Sequence, residues 1–231
     1  MIGLKAHLTL NGKELSGVNT ILSAGFNLLG RRIFDAAYTT QAYWIRVDLD
    51  TGNEVFEATY TEISATQHEV TYVYTLPTGP GTISAMHVMM ANSLLDANKI
   101  ASFTVSPPQA AAMGDSFHCD FEFIISNQNG TWNDTGTRMV GHRCFDKSNT
   151  YGLATHLAYW NGGAQQKIYA LGYTNISNTS HKVGVTTDAA ITSDSLRLYS
   201  AASGGTLYWN AVGTRIYPTG FAHNIVTEIG Q

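Results

Sequence analysis

Charged residues are scarce in this chain. Asp, Glu, Lys and Arg together make up 13 % of its 231 residues, about half the share usual in a soluble globular protein. The net charge is −4 and the isoelectric point is near 6.0. Proteins that bind nucleic acid or an anionic membrane surface usually carry an excess of positive charge, which this chain does not have. We therefore expect neither nucleic acid nor a membrane among the partners.

Cysteine and long apolar runs are also scarce. Two cysteines do not make a disulfide framework. The chain has no run of about 18 apolar residues, the length from which a transmembrane helix is predicted. Its first residues, MIGLKAHLTLNGKEL, lack the basic stretch and apolar core of a signal peptide. We expect a protein made in a reducing cytoplasm.

Tyr, Thr, Ser, Asn and Gly fill the place of the missing charges. The chain has 12 Tyr and 22 Gly but only five Pro, and its hydrophobic content of 44 % is enough for a core. Aromatic and β-branched residues interrupted by many turn residues are typical of a β-rich fold.

Two pairs of similar segments indicate an internal repeat. YTEISATQHEV begins at Tyr60 and YTNISNTSHKV begins at Tyr173, 113 residues later, with seven of eleven positions identical. GRRIFD begins at Gly30 and GHRCFD at Gly141, 111 residues later. Similarity at one nearly constant offset predicts a tandem duplication of a unit of roughly 110 residues. The alternative is chance similarity between two Ser/Thr-rich segments.

One helix is predicted, near residues 21–37. Its apolar positions recur at steps of three and four, which place them on one face of a helix. Arg31 and Arg32 lie off that face, so we expect them to point to solvent or to a partner. In the second copy, Gly136 and Gly141 argue against a full helix, and Arg138–Phe145 is predicted to be a strand.

The rest of the chain favours strands. The clearest is Phe117–Ile125, in which Phe, Cys, Phe, Phe and Ile alternate with polar residues, as in a strand that covers a core with one face. Pro107-Pro108 is predicted to end the strand before it. Ser126–Gly136, SNQNGTWNDTG, is the best candidate for a linker.

These patterns predict a mainly β protein of two tandem β-sandwich-like domains. The first domain spans residues 1–126 and contains the one short helix. The second spans residues 127–231, and the repeat indicates that it duplicates the first.

Two His-Cys segments raise the question of a zinc site. His118-Cys119 and His142 with Cys144 supply the residue types that bind zinc. Their spacing fits no standard pattern. Cys119 shares a predicted face with three Phe, and Cys144 takes the position that Ile33 holds in the first copy. We expect both to be small buried core residues and predict no metal ligand.

The segment Asp48–Glu54, DLDTGNE, resembles a calcium-binding loop. The EF-hand pattern needs its Gly one position later and a Glu at the twelfth position, where this chain has Thr59. We interpret the segment as a polar hairpin turn. No cofactor is predicted.

No sequence motif indicates a catalytic site. His68 and His181 recur in the repeat, but Glu69 beside the first becomes Lys182 beside the second, so a His–carboxylate pair is not kept. We interpret both as strand-surface or interface residues. The four Trp side chains offer platforms for sugars, although packing is the commoner use of aromatic residues. The chain is predicted not to be an enzyme, with no catalytic residue assigned, and a glycan-active enzyme is the least favoured alternative.

The first half resembles β-rich virion proteins of tailed bacteriophages, such as tail-fibre, collar-type and head-decoration modules. The resemblance covers roughly residues 16–126 and rests on the order of five segments: GFNLLGRRIFDAA, AYWIRVDLDTGNE, EATYTEIS, PTGPGTISAMHVMM and KIASFTVSPPQAAAMGDSFHCDFEFIIS. Asp48, Met86 and Val88 depart from the pattern of that family.

This resemblance implies a structural component of a phage particle, in the tail, the collar or the capsid decoration. The protein would assemble as a homo-oligomer in the host cytoplasm, contact other virion proteins and reside in the virion. The low charge of the chain suits large, permanent interfaces. The alternative is a carbohydrate- or receptor-binding module that uses the Trp and Tyr side chains.

Overall fold

The computed structural model describes residues 2–77, 80–126 and 132–228. Within these ranges the chain forms two α-helices and 17 β-strands, so the predicted mainly β fold class is confirmed. In the first half the elements are β1 (Ile2–Leu10), β2 (Lys13–Glu14), β3 (Gly17–Ile21), α1 (Ser23–Phe34), β4 (Trp44–Leu49), β5 (Glu54–Glu57), β6 (Thr59–Ser64), β7 (Gln67–Thr75), β8 (Gly81–Met89), β9 (Lys99–Ala111) and β10 (Ser116–Ile125). In the second half they are α2 (Asp134–Phe145), β11 (His156–Asn161), β12 (Ala164–Ala170), β13 (Gly172–Asn175), β14 (Ser180–Thr186), β15 (Ile191–Tyr199), β16 (Leu207–Tyr217) and β17 (Ala222–Glu228).

Each half contains two antiparallel sheets with the same internal strand order. The first half has sheet A, in the order β2-β1-β10-β7-β6, and sheet B, in the order β3-β9-β8-β4-β5. The second half has sheet C, in the order β16-β15-β11-β12, and sheet D, in the order β17-β14-β13. Within the described ranges, sheets C and D repeat sheets B and A strand by strand for β4 to β10, the strands that follow α1.

The repeated segments lie on corresponding strands. Tyr60 is on β6 and Tyr173 is on β13, each the end strand of its sheet. His68 on β7 pairs with Phe123 of β10, and His181 on β14 pairs with Thr227 of β17. One sequence pattern therefore builds the same strand pair twice.

The core lies between the two sheets of each half. On β10 the residues Phe117, Cys119, Phe121, Phe123 and Ile125 are buried, and the residues between them are not, as the alternation predicted. Contacts between sheets include Phe56 with Tyr72, whose rings lie 4.9 Å apart, in the first half.

The prediction of a strand over Arg138–Phe145 is wrong, because these residues belong to helix α2. Asn133 caps the helix with a side-chain oxygen that accepts a hydrogen bond from the Gly136 nitrogen at 2.7 Å. The second half therefore has a helix, although the low helix propensity of Gly136 and Gly141 argued against one. Tertiary contacts decide here, since Gly136 packs directly against the Tyr208 carbonyl, where a Cβ atom has no room.

Two further predictions need correction. Pro107-Pro108 does not end a strand, because β9 continues to Ala111. The two prolines lie where the register between β8 and β9 shifts, so they remove no regular ladder hydrogen bond. Arg32 does not point to solvent but is buried.

The predicted boundary between the domains lies largely outside the described residues. Of the linker candidate Ser126–Gly136, residues 127–131 are not described, and Asp134 to Gly136 form the first turn of α2. One cluster of buried apolar side chains includes residues from both halves. The division into two domains at residue 126 stays a prediction. Neither α-helix has the length and apolar content to span a membrane.

Candidate functional site

The two halves meet at a junction formed by helices α1 and α2. The first part of each helix packs on its own half, with Gly25 against the Ile100 carbonyl of β9 and Gly136 against the Tyr208 carbonyl of β16. The later part packs on the opposite half, α1 on β14 and α2 on β6, β7 and β10. The helices are thus exchanged between the halves, and the arrangement has an approximate two-fold symmetry.

A glycine on each helix makes the exchange sterically feasible. A Cβ atom on Gly30 of α1 would overlap the ring of His181, and a Cβ atom on Gly141 of α2 would overlap the ring of His68. Only glycine lets the helix backbone come this close to an imidazole. The Gly that begins both GRRIFD and GHRCFD therefore packs against the His that the other pair of repeated segments shares, in each case on the opposite half.

Each of these histidines is held by a tyrosine of its own half. The Tyr60 hydroxyl lies 2.8 Å from Nδ1 of His68, and the Tyr173 hydroxyl lies 2.9 Å from Nδ1 of His181. Burial lowers the pKa of His68 to about 4, so its ring is neutral at neutral pH. Burial also raises the pKa of Tyr60. The Tyr60–His68 pair is therefore neutral, and both tyrosines fix the rings against which the helices pack.

Two arginines join the helices reciprocally. Nε of Arg32 donates to the Arg143 carbonyl at 2.7 Å, and Nε of Arg143 donates to the Arg32 carbonyl at 3.2 Å. Each guanidinium also binds the loop after its own helix, at the carbonyls of Tyr38 and Tyr151. Burial lowers the pKa of Arg143 to about 10, so it keeps its charge at neutral pH.

The symmetry fails at one charged cluster, which exists only where α2 meets sheet A. His142 of α2 is hydrogen-bonded through Nε2 to Glu62 at 2.5 Å and through Nδ1 to Asp146 at 2.7 Å, and Arg138 also binds Glu62. The equivalent positions beside α1 hold Asn27 hydrogen-bonded to Asn175, and Arg31 paired with Asp35.

The charged cluster orients its side chains through hydrogen bonds. Burial by itself would raise the pKa of Glu62 and of Asp146. The hydrogen bond from His142 and the charge of Arg138 together lower the pKa of Glu62, and the hydrogen bonds from His142 and Ser148 together lower that of Asp146. Both carboxylates are therefore ionised at neutral pH. Since each ring nitrogen of His142 faces a carboxylate, the ring is held from both sides.

The residues that were considered as a zinc set, and predicted not to be ligands, lie in different settings. Cys119 on β10 and Cys144 on α2 are both free and buried, as predicted. Burial raises the pKa of Cys144 to about 12 and also raises that of Cys119, so both are protonated. His118 lies on the other face of β10, where it pairs with Asp120 at 3.0 Å. In the described ranges, no three His, Cys, Asp or Glu side chains are grouped as a metal site requires.

The two aspartates of the calcium-like loop have protein partners. Asp48 accepts from Arg46 at 2.6 Å and contacts Nε2 of His87 at 3.0 Å. Asp50 accepts a hydrogen bond from the Thr82 nitrogen at 2.9 Å. The segment is a hairpin turn between β4 and β5, as its polar composition predicted.

The tryptophans are half-buried and take part in packing. Trp132 packs against Phe34 of α1 and forms an isolated bridge with Trp209. The Trp160 ring is covered by the guanidinium of Arg197 at 4.2 Å. Trp44 contacts Tyr43, which lines a cleft of about 450 Å³ at the junction together with Tyr60, Asp146 and Lys147.

Sequence reasoning missed Arg32, Arg143 and Glu62 as parts of the junction. The signal for the arginines was present, because both repeated segments have Arg in the third position, GRRIFD and GHRCFD. Glu62 had no such signal, since its counterpart is Asn175.

The chain matches no family model, no curated protein and no solved structure.

Proposed function

We propose that this chain is a structural component of a bacteriophage particle, in the tail, the collar or the capsid decoration, and that it acts through symmetric assembly. It assembles in the host cytoplasm with copies of itself and with other proteins of the virion. The proposal combines the resemblance of residues 16–126 to β-rich virion proteins with the surface of the fold.

One observation carries the proposal: large apolar side chains are exposed on strands at the edges of sheets. Val18 on β3 is 65 % exposed, and Val212 and Ile216 on β16 are 83 % and 75 % exposed. Ile63 on β6 and Val226 on β17 are also exposed. Edge strands of a protein that stays alone are usually protected by charged residues or proline. Apolar edges suit a protein whose edges are covered in an assembly.

The exchanged helices support the same role. They pack the two halves together through buried hydrogen bonds and close glycine contacts, which makes each chain a two-part building block. A subunit of this kind presents two similar surfaces, and such surfaces favour ring-like or lattice-like contacts.

Mass spectrometry of purified particles tests this function. Particles are prepared from a lysate in which the chain is expressed from its native genome, and the copy number of the chain is compared with that of the major capsid protein. We expect a fixed ratio that survives density-gradient purification. A chain found only in the soluble fraction, or absent from a phage genome, would contradict the proposal.

Carbohydrate or receptor binding is the second candidate, and the cleft beside Tyr43 and Tyr60 favours it. Two aromatic rings, a carboxylate and an ammonium group line this cleft of about 450 Å³, and sugars bind to such combinations through stacking and hydrogen bonds. A glycan array with the wild-type chain and the Tyr43→Ala variant separates the two candidates. Binding that the variant abolishes, by a chain that is monomeric and absent from particles, would favour this second function.

A further inference from the structure

The loops that follow helices α1 and α2 are built alike. Each helix is followed by an aspartate, Asp35 after α1 and Asp146 after α2. The aspartate side chain accepts a hydrogen bond from the backbone nitrogen two residues later, at 3.0 Å from Ala37 and at 2.8 Å from Ser148. The two loops therefore occupy equivalent positions in the two copies of the repeat.

Each loop lies near the tyrosine that holds a buried histidine. Burial, and after it the charge of Asp146, raises the pKa of Tyr60. Burial, and after it the charge of Asp35, raises the pKa of Tyr173. Each tyrosine is thus close to the loop after the helix of the opposite half. Since Tyr60 and Asp146 line the cleft of about 450 Å³ described above, Tyr173 and Asp35 mark the equivalent place at the other helix.

The strand segments beside these tyrosines match as well. Ala58 and Leu171 each lie two residues before one of the tyrosines. The Ala58 nitrogen donates to the Tyr43 carbonyl at 2.8 Å, and the Leu171 nitrogen donates to the Thr155 carbonyl at the same distance. This shared hydrogen bond makes Thr155 the counterpart of Tyr43 and Leu171 the counterpart of Ala58.

The two copies differ at the remaining residues of the cleft. The cleft beside α2 is lined by Tyr43, Ala58, Lys147 and Ser148. Their counterparts beside α1 are, in the same order, Thr155, Leu171, Ala36 and Ala37. Every one of these differences gives the cleft beside α2 an aromatic ring, a polar group or more room. The shared tyrosine and aspartate concern how the helices pack, whereas the differing residues concern what the cleft can bind.

The hydrogen-bonding groups of the cleft suit a ligand with hydroxyl groups. Nζ of Lys147 donates to Glu57 at 2.6 Å and has further N–H groups to donate. Oγ of Ser148 donates to Asp146 at 2.7 Å and keeps its lone pairs to accept. Because a hydroxyl group both donates and accepts, two adjacent hydroxyls of a sugar can bind to these neighbouring residues at the same time. Tyr43 adds an apolar ring surface on which C–H groups of the sugar can pack.

The charges around the cleft favour a neutral ligand. Asp146 is hydrogen-bonded to His142 and Ser148. Lys147 is paired with Glu57. Because each of these charges already has a partner, an ionic ligand would gain little attraction. An acidic sugar would bring its carboxylate close to two carboxylates, and an amino sugar would bring its ammonium group close to that of Lys147, so that like charges would repel.

We infer that this cleft binds a neutral saccharide, with Tyr43 against one face of the sugar ring, Lys147 donating to one hydroxyl group and Ser148 accepting from the next. Its volume of about 450 Å³ lies in the range of small-ligand sites. Of the two equivalent places, only the one beside α2 provides this set of side chains, because the other has a threonine and two alanines. This inference rests on the second candidate function, carbohydrate binding, and names the class of sugar and the residues that recognise it.

Saturation-transfer NMR and isothermal titration of the purified full chain give the first test. The probes are neutral mono- and disaccharides of glucose, galactose, mannose and N-acetylglucosamine, with glucuronic acid and glucosamine as charged forms. We expect a neutral probe to bind with one site per chain and the charged forms to bind about tenfold more weakly, because of the like charges. No binding by any neutral probe, or tighter binding of a charged form than of its neutral parent, would overturn the inference.

A pair of variants gives the second test and locates the site. Lys147→Ala combined with Ser148→Ala gives the cleft the alanines found beside α1, whereas Lys13→Ala removes a lysine of β2, outside the cleft. All three side chains are exposed, so the circular-dichroism spectrum should stay unchanged. The double variant should raise the dissociation constant of the neutral probe about tenfold or more, the scale of lost hydrogen bonds, and Lys13→Ala should leave it unchanged. A double variant that binds no more weakly than Lys13→Ala would contradict the inference.

The outcomes of these tests separate the inference from the functions proposed above. A chain that binds a saccharide equally well with Lys147→Ala and Ser148→Ala overturns this site and leaves carbohydrate binding standing. A chain that is part of purified particles but binds no neutral saccharide overturns the inference and leaves the assembly role standing. A chain that binds a neutral saccharide in this cleft but is absent from particles does the reverse.

Discussion

Arg31 and Arg32 are neighbours in sequence with opposite environments. Arg31 is half-exposed and pairs with Asp35 at 3.3 Å, while Arg32 is buried and donates to carbonyls of Arg143 and Tyr38. When a buried carbonyl loses a charged hydrogen-bond donor, it stays buried without a partner, and this destabilises the fold. An exposed ion pair contributes little to the free energy of unfolding.

We expect Arg32→Met to lower the free energy of unfolding by about 2 kcal/mol, the scale of a hydrogen bond to a charged group. Arg31→Met should change it by less than about 0.5 kcal/mol. Urea denaturation of the two variants and the wild type measures both values. Equal losses in the two variants would show that Arg32 does not join the helices.

The lowered pKa of His68 predicts how the free energy of unfolding depends on pH. Its pKa is about 4 in the folded chain and 6.5 in the unfolded chain, because burial disfavours the charged ring. The unfolded state therefore binds more protons between these values, and the free energy of unfolding falls as the pH is lowered from 6.5 to about 4. At about 1.4 kcal/mol per pKa unit, the loss is on the order of 3 kcal/mol.

The test is the slope of the unfolding free energy against pH in that window. His223 contributes to the same window, because burial lowers its pKa too. His68→Gln should therefore make the slope shallower without flattening it, even though the variant is less stable at every pH. An unchanged slope would mean that His68 titrates normally in the folded chain.

At the scale of elements, the close contact between α2 and β7 depends on Gly141. Replacing a helical glycine by alanine usually stabilises a helix by about 1 kcal/mol. Here the added methyl group would overlap the ring of His68, which lies fully buried under the helix. Gly141→Ala should therefore lower the unfolding free energy by about 1–3 kcal/mol, the usual cost of overpacking.

Gly3→Ala is the matched control for this substitution. Gly3 lies on β1, where a Cβ atom would meet its nearest neighbour at an ordinary 3.8 Å. Thermal or urea denaturation should show no loss of stability in the control. If Gly141→Ala proves as stable as the wild type, the helix is not held against β7 in the way that the geometry indicates.

Strand β10 and helix α2 show what local patterns predict and what they do not. The alternation from Phe117 to Ile125 predicted the buried face of β10. In a strand that covers a core with one face, every second side chain is buried and therefore apolar. Helix α2 was predicted as a strand, because Gly136 and Gly141 carry a propensity penalty. Those glycines serve contacts with Tyr208 and His68, which are 72 and 73 residues away along the chain and leave no mark in the local sequence.

At the scale of the whole molecule, the exchanged helices couple the two halves. Helix α1 covers β14 of the second half and α2 covers β7 and β10 of the first. Each half expressed alone would keep its own helix but lose the helix of the other half that covers its sheet. Phe123 would then lose its contact with Phe145 of α2, and His181 would lose its contact with Phe34 of α1.

We therefore expect residues 1–126 and 127–231, expressed separately, to lack cooperative unfolding transitions and to regain one when they are mixed. Circular dichroism during urea titration of each fragment and of the mixture measures this. Two fragments that each unfold cooperatively would support two independent domains instead, as the repeat in the sequence predicted.

The sequence by itself determined the mainly β class, the helix near residues 21–37, the buried cysteines and the two pairs of repeated segments. Each of these rests on residue type and on short spacing, which act locally along the chain. The tertiary structure alone decided which half each helix covers and that Arg32 and Arg143 bind each other's helix. These features depend on contacts between residues more than 100 positions apart, such as Gly30 with His181 and Arg32 with Arg143. No local pattern encodes such contacts, because the same Gly, His and Arg residues would suit many other partners.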